Sequence, residues 1–350
     1  MMHPVSILSL CTQTPANILP QAEAIATARE LIGGHFADFE RLAAVYTNAG
    51  VHTRQLAMPV QWYRSERSFA ERSEVYLSVA LDLWVAAAEQ ALAQADLRAE
   101  QVDTIVTVSS TGIATPSLEA RAMARLPFRN DVARVPVFGL GCAGGTTGLG
   151  LASKLARATP GSHVLFVTVE LCSLALRTNR ADKADIVSTA LFGDGAAACV
   201  LRSGEGGFVQ ITASAEKTWR DTLDIMGWQA EPTGLGVVLN RAIPAFARQE
   251  MRQAMQEMLA PQGLKIEDVD RFICHPGGAK VVDALEQALA LNQGALVKER
   301  EVLRDHGNMS APTVLFVLDR YRREGLPPLS VMNALGPGFT ASSLTLRCAA

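Results

Sequence analysis

Residues 136–150, PVFGLGCAGGTTGLG, decide how the chain is read. Residues 135–138 are apolar and β-branched enough for a short strand. Gly139 and Gly141 then bracket Cys142, and Gly144 and Gly145 follow. Leu149, Leu151, Leu155 and Ala156 continue at helical spacing. The expected unit is strand, tight turn and helix, with a thiol at the start of the helix. Small neighbours let the backbone turn sharply and let a substrate come close. Unpaired N–H groups at a helix start carry partial positive charge, which favours thiolate over thiol. A free cysteine has a pKa near about 8.5, and such a position can lower it by about a unit or more. The competing reading is a small buried cysteine that packs a Gly-rich turn.

Composition bounds the alternatives. The chain has 350 residues, 49% hydrophobic and 19% charged, with a formal net charge of −3. That suits a globular protein with a large core, in one big domain or two intimate halves. Basic residues are scattered, so no nucleic-acid partner is expected. Cys11, Cys142, Cys172, Cys199, Cys274 and Cys348 lie far apart without metal-ligand spacing, so reduced thiols and no metal are expected. The start, MMHPVSILSL, reads as a strand rather than a signal peptide. No uninterrupted apolar run is long enough for a membrane span, and a cytoplasmic location is expected.

Working outward, residues 5–10 read as a buried strand, and residues 18–42 as helical with a break at Gly33–Gly34. The basic–apolar segment 51–59 reads as a surface loop. Residues 68–93 form a long Ala-rich helical pattern. Strands are expected at 103–110, 163–170 and 196–201, with short helices at 117–126 and 185–192. A second series follows from about residue 206. It comprises strands at 208–213, 269–275, 330–335 and 342–347, and helices at 243–259, 279–291 and 310–321. Strands alternating with helices argue for an α/β layered architecture with central, largely buried sheets.

A nucleophilic Cys142 needs a proton partner and oxyanion donors, usually distant in sequence. His275 ends an apolar strand and precedes Pro276, Gly277 and Gly278, and strand ends are where α/β sites gather. Asn308 lies in HGNMSAP, immediately ahead of a helix whose cap region includes Ser310. Each also has a plain structural reading. Such a histidine often bonds a loop carbonyl, and such an asparagine is often a cap.

Five blocks taken together resemble the type III polyketide synthases, the chalcone-synthase-like branch of the thiolase fold. They are Cys142 in GLGCAGG, Phe192 in ALFGDGAAA, His275 in HPGG, Asn308 in GNMSA and the terminal Gly336-Pro337-Gly338. The likeness runs from about residue 51 to the C-terminus. It implies αβαβα thiolase layers built from two related halves, each with a sheet, and a homodimer. Residues 1–205 would form the half carrying Cys142, and residues 206–350 the half carrying His275 and Asn308. The substrates implied are acyl-CoA and malonyl-CoA, with no separate cofactor. By motif, Cys142 would attack the starter thioester and hold the growing chain. His275 would pair with the thiolate as an imidazolium, and with Asn308 would donate to the oxyanion and to the enolate left by decarboxylation. Phe192 matches an aromatic gatekeeper, and Gly277 and Gly278 resemble the loop along the pantetheine arm. Basic residues near Arg54 are expected to meet the CoA phosphates.

Departures from the plant pattern bear on the substrate. Val237 stands near the place of a second gatekeeper phenylalanine. Cys172 and Ala175 stand where plant enzymes have threonines, with Ser110 and Thr111 on the facing strand. Small apolar walls would favour a long acyl chain, as in bacterial relatives that make alkylpyrones or alkylresorcinols. The rivals are a ketoacyl synthase III of fatty-acid synthesis, whose His-Gln-Ala-Asn block is replaced here by HPGG, and a non-catalytic thiolase-fold binding protein.

Overall fold

A computed structural model describes residues 4–35, 39–176, 183–231 and 234–348. In the first half the strands are β1 (Val5–Gln13), β2 (Asn17–Pro20), β3 (Thr53–Leu56), β4 (Thr104–Val108), β5 (Ala133–Val137), β6 (His163–Leu171) and β7 (Asp194–Ser203). The second half adds β8 (Val209–Thr218), β9 (Met226–Glu231), β10 (Gly234–Leu239), β11 (Arg271–Cys274), β12 (Leu329–Gly336) and β13 (Thr340–Arg347). The helices of the first half are α1 (Gln21–Ile32), α2 (Phe39–Asn48), α3 (Phe69–Gln94), α4 (Leu118–Ala122), α5 (Gly144–Ala158) and α6 (Lys183–Leu191). Those of the second are α7 (Ile243–Leu259), α8 (Ala279–Ala288), α9 (Val297–His306) and α10 (Thr313–Glu324).

The two halves repeat one hydrogen-bonding scheme. In the first, β4 runs parallel to β6, β6 antiparallel to β7, and β7 antiparallel to β1. In the second, β11 runs parallel to β12, β12 antiparallel to β13, and β13 antiparallel to β8. The expected pair of sheets is in fact continuous. β1 and β8 pair antiparallel, Val5 opposite Ile211, and join the halves into one nine-stranded sheet, β11-β12-β13-β8-β1-β7-β6-β4-β5.

The sheet folds around a central layer of α5 and α10, which pack on each other and on strands from both halves. Val106, Leu149, Phe166, Val314, Met332 and Leu344 belong to the buried core of this layer. Outside the first half lies α3, opened by a reciprocal capping box between Ser68 and Glu71. This helix is long and apolar enough on average to cross a bilayer. Its apolar face is nonetheless covered by protein: α3 packs on β1, β6 and β7, and buried Trp84 donates to Thr107 Oγ1 at 3.0 Å. Outside the second half lie α7 and α8, with Met251, Met255 and Met258 buried between them and the sheet. The five layers are those of the thiolase fold.

Two readings of the first sixty residues are corrected. Ile18 belongs to β2 rather than to a helix, and the segment around Arg54 is β3 rather than a surface loop. The two strands pair antiparallel, Ile18 opposite Gln55, and bury Arg54, Gln55 and Leu56. Sequence pattern also missed α9 and the separate β9–β10 hairpin. α9 is dominated by charged residues and the hairpin is interrupted by Gly227, Gly234 and Gly236, which hides their periods.

Candidate active site

Cys142 sits in a single 3₁₀ turn, Gly141–Ala143, that runs directly into α5. The turn bends through left-handed backbone at Gly139 (φ 91°) and Gly141 (φ 48°), which glycine adopts without strain. It is held from two sides. Ser110 Oγ, just beyond the end of β4, accepts the N–H groups of Gly139 and Gly141 at 3.1 and 3.2 Å. The Gly336-Pro337-Gly338 block presses from the second half. A Cβ on Gly141 would lie 2.8 Å from the Pro337 ring, and one on Gly336 would lie 2.5 Å from Ala143 Cβ. A Cβ on Gly145 would lie 2.2 Å from the Ala311 carbonyl, so α5 and the segment before α10 meet backbone to backbone.

α5 leads into β6 and α10 into the equivalent β12, so their N-terminal segments occupy matching places in the two halves. Asn308 and Ser310 precede α10 as Cys142 precedes α5, and both hydrogen-bond the Cys142 thiol. The Ser310 N–H donates to Asn308 Oδ1 at 2.8 Å. That bond orients the carboxamide and leaves its NH₂ for the cavity and, at 3.5 Å, the Gly277 carbonyl. His275 follows β11, and its backbone N–H donates to the Asn333 carbonyl at 2.8 Å. The ring is 3% exposed, yet neither nitrogen has a protein partner, an arrangement suited to a ligand.

Cys142, His275 and Asn308 line one cavity of about 350 Å³. Of the other expected residues, Phe192, Cys172, Val237, Ser310, Gly277 and Gly278 also line it. Phe192 is tied to the site by its backbone: Gly193 N–H donates to the Asn308 carbonyl at 3.0 Å, and Asn308 N–H to the Leu191 carbonyl at 2.9 Å. Three expected walls are corrected. Ser110 is turned to the nucleophile turn, and Thr111 Oγ1 accepts the Leu171 N–H at 2.8 Å; neither lines the cavity. Ala175 packs with Cys172, Phe192 and Val237 but behind the surface of the cavity. The residues missed include Met226, Trp228 and Leu239 on the β9–β10 hairpin and Val45, Val187 and Leu191 on α2 and α6, which add to the apolar wall.

Burial dominates the electrostatics. It pushes the Cys142 thiol up to about 11, against the hydrogen bonds from Ser310 and Asn308 that favour the thiolate. It pushes His275 down to about 3. Burial thus works against the charged form of each group, and a thiolate–imidazolium pair has to offset that cost by mutual attraction. Behind the turn, Glu170 is fully buried and raised to about 8 by burial, and both its oxygens accept the Ser110 N–H at 3.0 Å.

Arg54 does not reach this surface. It is 1% exposed, and its guanidinium donates to the Gln21 side chain and to the carbonyls of Thr189, Ala190 and Phe192. It closes the C-terminal end of α6 and braces the gatekeeper from behind, so it is spent as a structural donor. Among the described residues, the exposed cations at the cavity are Lys280, in the first turn of α8, and Arg241.

Both halves match one family. Residues 3–205 match the N-terminal domain of chalcone and stilbene synthases, and residues 210–350 match the C-terminal domain. The chain belongs to the chalcone and stilbene synthase family. It is 37% identical to a 1,3,6,8-tetrahydroxynaphthalene synthase of Streptomyces peucetius subsp. caesius, over 98% of this chain and 93% of that one. It is 29% identical to the alpha-pyrone synthesis polyketide synthase-like Pks18 of Mycobacterium tuberculosis (strain H37Rv), over 97% and 90%. The crystal structure of 1,3,6,8-tetrahydroxynaphthalene synthase from Streptomyces coelicolor A3(2) superposes with a TM-score of 0.93 at 27% identity, covering 99% of both chains. Type III polyketide synthases, of which this is one, are acyltransferases that build chains by decarboxylative condensation. The ketoacyl synthase III and non-catalytic readings are set aside.

Proposed function

We propose that this enzyme loads a fatty acyl-CoA starter onto Cys142, extends it with malonyl-CoA and cyclises the product to an alkylpyrone or alkylresorcinol. One observation carries the proposal: the thiol, the unpartnered imidazole and the oriented carboxamide share a buried cavity whose remaining walls are mostly apolar.

In the loading step the Cys142 proton moves to His275 as sulfur attacks the thioester carbonyl. The electron pair collects on the carbonyl oxygen, which accepts hydrogen bonds from the Asn308 NH₂ and the imidazolium. Collapse expels the CoA thiolate, which recovers a proton. Malonyl-CoA then loses CO₂, and the same two donors hold the enolate oxygen. The enolate carbon attacks the acyl–Cys142 carbonyl, the C–S bond breaks, and a chain longer by two carbons leaves on CoA. Preorganised donors in a site shielded from water are the main source of rate in such chemistry.

The CoA arm would run over Gly277 and Gly278 to a mouth where Lys280 and Arg241 meet its phosphates. A homodimer is the expected assembly. Ile113 and Phe138, 59% and 57% exposed, follow the neighbouring strands β4 and β5 at the edge of the sheet and give a second copy an apolar surface to cover.

A second reading has a specific observation behind it. The relative with 37% identity is named for tetrahydroxynaphthalene, a product without an alkyl tail. Mass spectrometry of products from a panel of starters with malonyl-CoA decides between them. The fatty-acyl reading expects an alkyl-bearing product from medium or long chains, lost in Cys142→Ala. It fails if malonyl-CoA alone gives the whole product and added acyl-CoA changes nothing.

A further inference from the structure

We propose that Glu299 is a positioning residue for His275: its carboxyl group ties the strand that ends at the imidazole to the helix that leads into Asn308. The inference rests on reading His275 as the proton acceptor of Cys142, and it names what holds that imidazole in place.

The His275 ring has no protein partner of its own, so its place is set by the backbone that carries it. β11 is the outer strand of the nine-stranded sheet, with β12 on one side only. The His275 N–H donates to the Asn333 carbonyl of β12 at 2.8 Å. Successive N–H groups of a strand point to opposite sides, so the Cys274 N–H faces the open edge. There Glu299 Oε1 accepts it at 2.9 Å. The other oxygen, Oε2, accepts the Tyr321 hydroxyl of α10 at 3.0 Å. One carboxyl group thereby joins β11, α9 and α10. His275 directly follows β11, and Asn308 lies in the short link between α9 and α10.

The kind of residue supports this role. Glu299 is fully buried, where a carboxyl group is costly unless its oxygens are used. Burial raises it to about 7, against both hydrogen bonds and the charge of Arg271. An apolar side chain would fill the same space but leave the Cys274 N–H without its acceptor. Oε1 can accept that N–H whether the carboxyl group is ionised or protonated, so the brace needs an oxygen rather than a charge.

The test uses the full-length enzyme, iodoacetamide labelling of Cys142 against pH, and steady-state kinetics of malonyl-CoA decarboxylation. For Glu299→Leu the labelling midpoint is expected to rise toward that of His275→Gln. Its kcat is expected to fall about ten- to a hundredfold, the scale of a small misplacement of a reacting group, with KM changed far less. Glu299→Gln keeps an oxygen for the Cys274 N–H and is expected to restore both. Tyr321→Phe releases the second oxygen and is expected to move both readouts the same way by less. It carries the test if Glu299→Leu does not fold. A wild-type midpoint and kcat in the folded variants, beside a raised midpoint in His275→Gln, overturn the proposal and leave His275 as the proton acceptor. A midpoint unmoved in His275→Gln overturns the underlying reading as well, and that one variant tells the two failures apart.

Discussion

Ser110 holds Gly141: its Oγ accepts the Gly141 N–H at 3.2 Å and the Gly139 N–H at 3.1 Å. A hydroxyl beyond the end of β4 thus fixes the turn that carries the nucleophile, while Glu170 fixes Ser110 through its N–H. Removing the acceptor strands two N–H groups, one of them fully buried, at about 1–3 kcal/mol each.

Ser110→Ala is accordingly expected to lower the melting temperature and to reduce kcat more than it raises KM, because the sulfur loses its fixed position. Ser110→Thr keeps the hydroxyl and is expected to recover most of both. Thermal melts and steady-state kinetics on the two variants check this. Equal kcat in wild type and Ser110→Ala contradicts a positioning role.

Asn308 has its carboxamide oxygen occupied by the Ser310 N–H at 2.8 Å, so only the NH₂ faces the substrate. Loss of one such oxyanion donor costs about 10²–10³ in rate. Asn308→Ala is expected to slow malonyl-CoA decarboxylation by that factor with KM changed by far less. Release of ¹⁴CO₂ from carboxyl-labelled malonyl-CoA measures it. Decarboxylation at the wild-type rate removes Asn308 from the mechanism.

How much of this is legible in the sequence depends on what each residue touches. The Cys142 turn is readable because glycines, a preceding apolar run and a following helical period are local signals. His275 and Asn308 are readable only as motifs, since neighbouring residues do not say that β11 and the segment before α10 converge on α5. The walls are less legible. Resemblance sets Ser110 among the walls but cannot tell a cavity wall from a brace, and the N–H groups of Gly139 and Gly141 decide that in space. Arg54, between Thr53 and Gln55, has the pattern of a surface cation. Only the carbonyls at the end of α6, more than 130 residues away, make a buried place for it. Trp228 escapes notice because Gly227, Gln229 and Glu231 mask the strand that carries it.

The proton transfer from Cys142 to His275 proposed for the loading step can be read by alkylation. Burial, opposed by Ser310 and Asn308, leaves the thiol raised to about 11, and burial lowers the imidazole to about 3. Moving the proton from sulfur to imidazole makes opposite charges in one cavity, and their attraction offsets part of that desolvation. The sign follows: an imidazolium neighbour lowers the thiol pKa, and a neutral amide does not. Iodoacetamide labelling of Cys142 against pH is expected to show a midpoint below 11 in wild type and a higher one in His275→Gln. Coincident midpoints break the coupling on which the loading step depends.

Lys280 and Arg54 are predicted to part company in the same pair of assays. Lys280 is an exposed cation at the mouth, and Arg54 a buried brace of Phe192. A charge-assisted hydrogen bond contributes about 1.5–3 kcal/mol, and solvent exposure trims such a contact toward about 1 kcal/mol or less. Lys280→Ala should therefore raise KM for acyl-CoA by about three- to tenfold with kcat little changed, and the difference should shrink as salt rises. With an N-acetylcysteamine thioester, which has no phosphates, wild type and Lys280→Ala should behave alike. Arg54→Ala strands buried carbonyls at the end of α6, so it should lower the melting temperature whichever thioester is used. Equal loss with both thioesters in Lys280→Ala would place that lysine in the fold rather than at the phosphates.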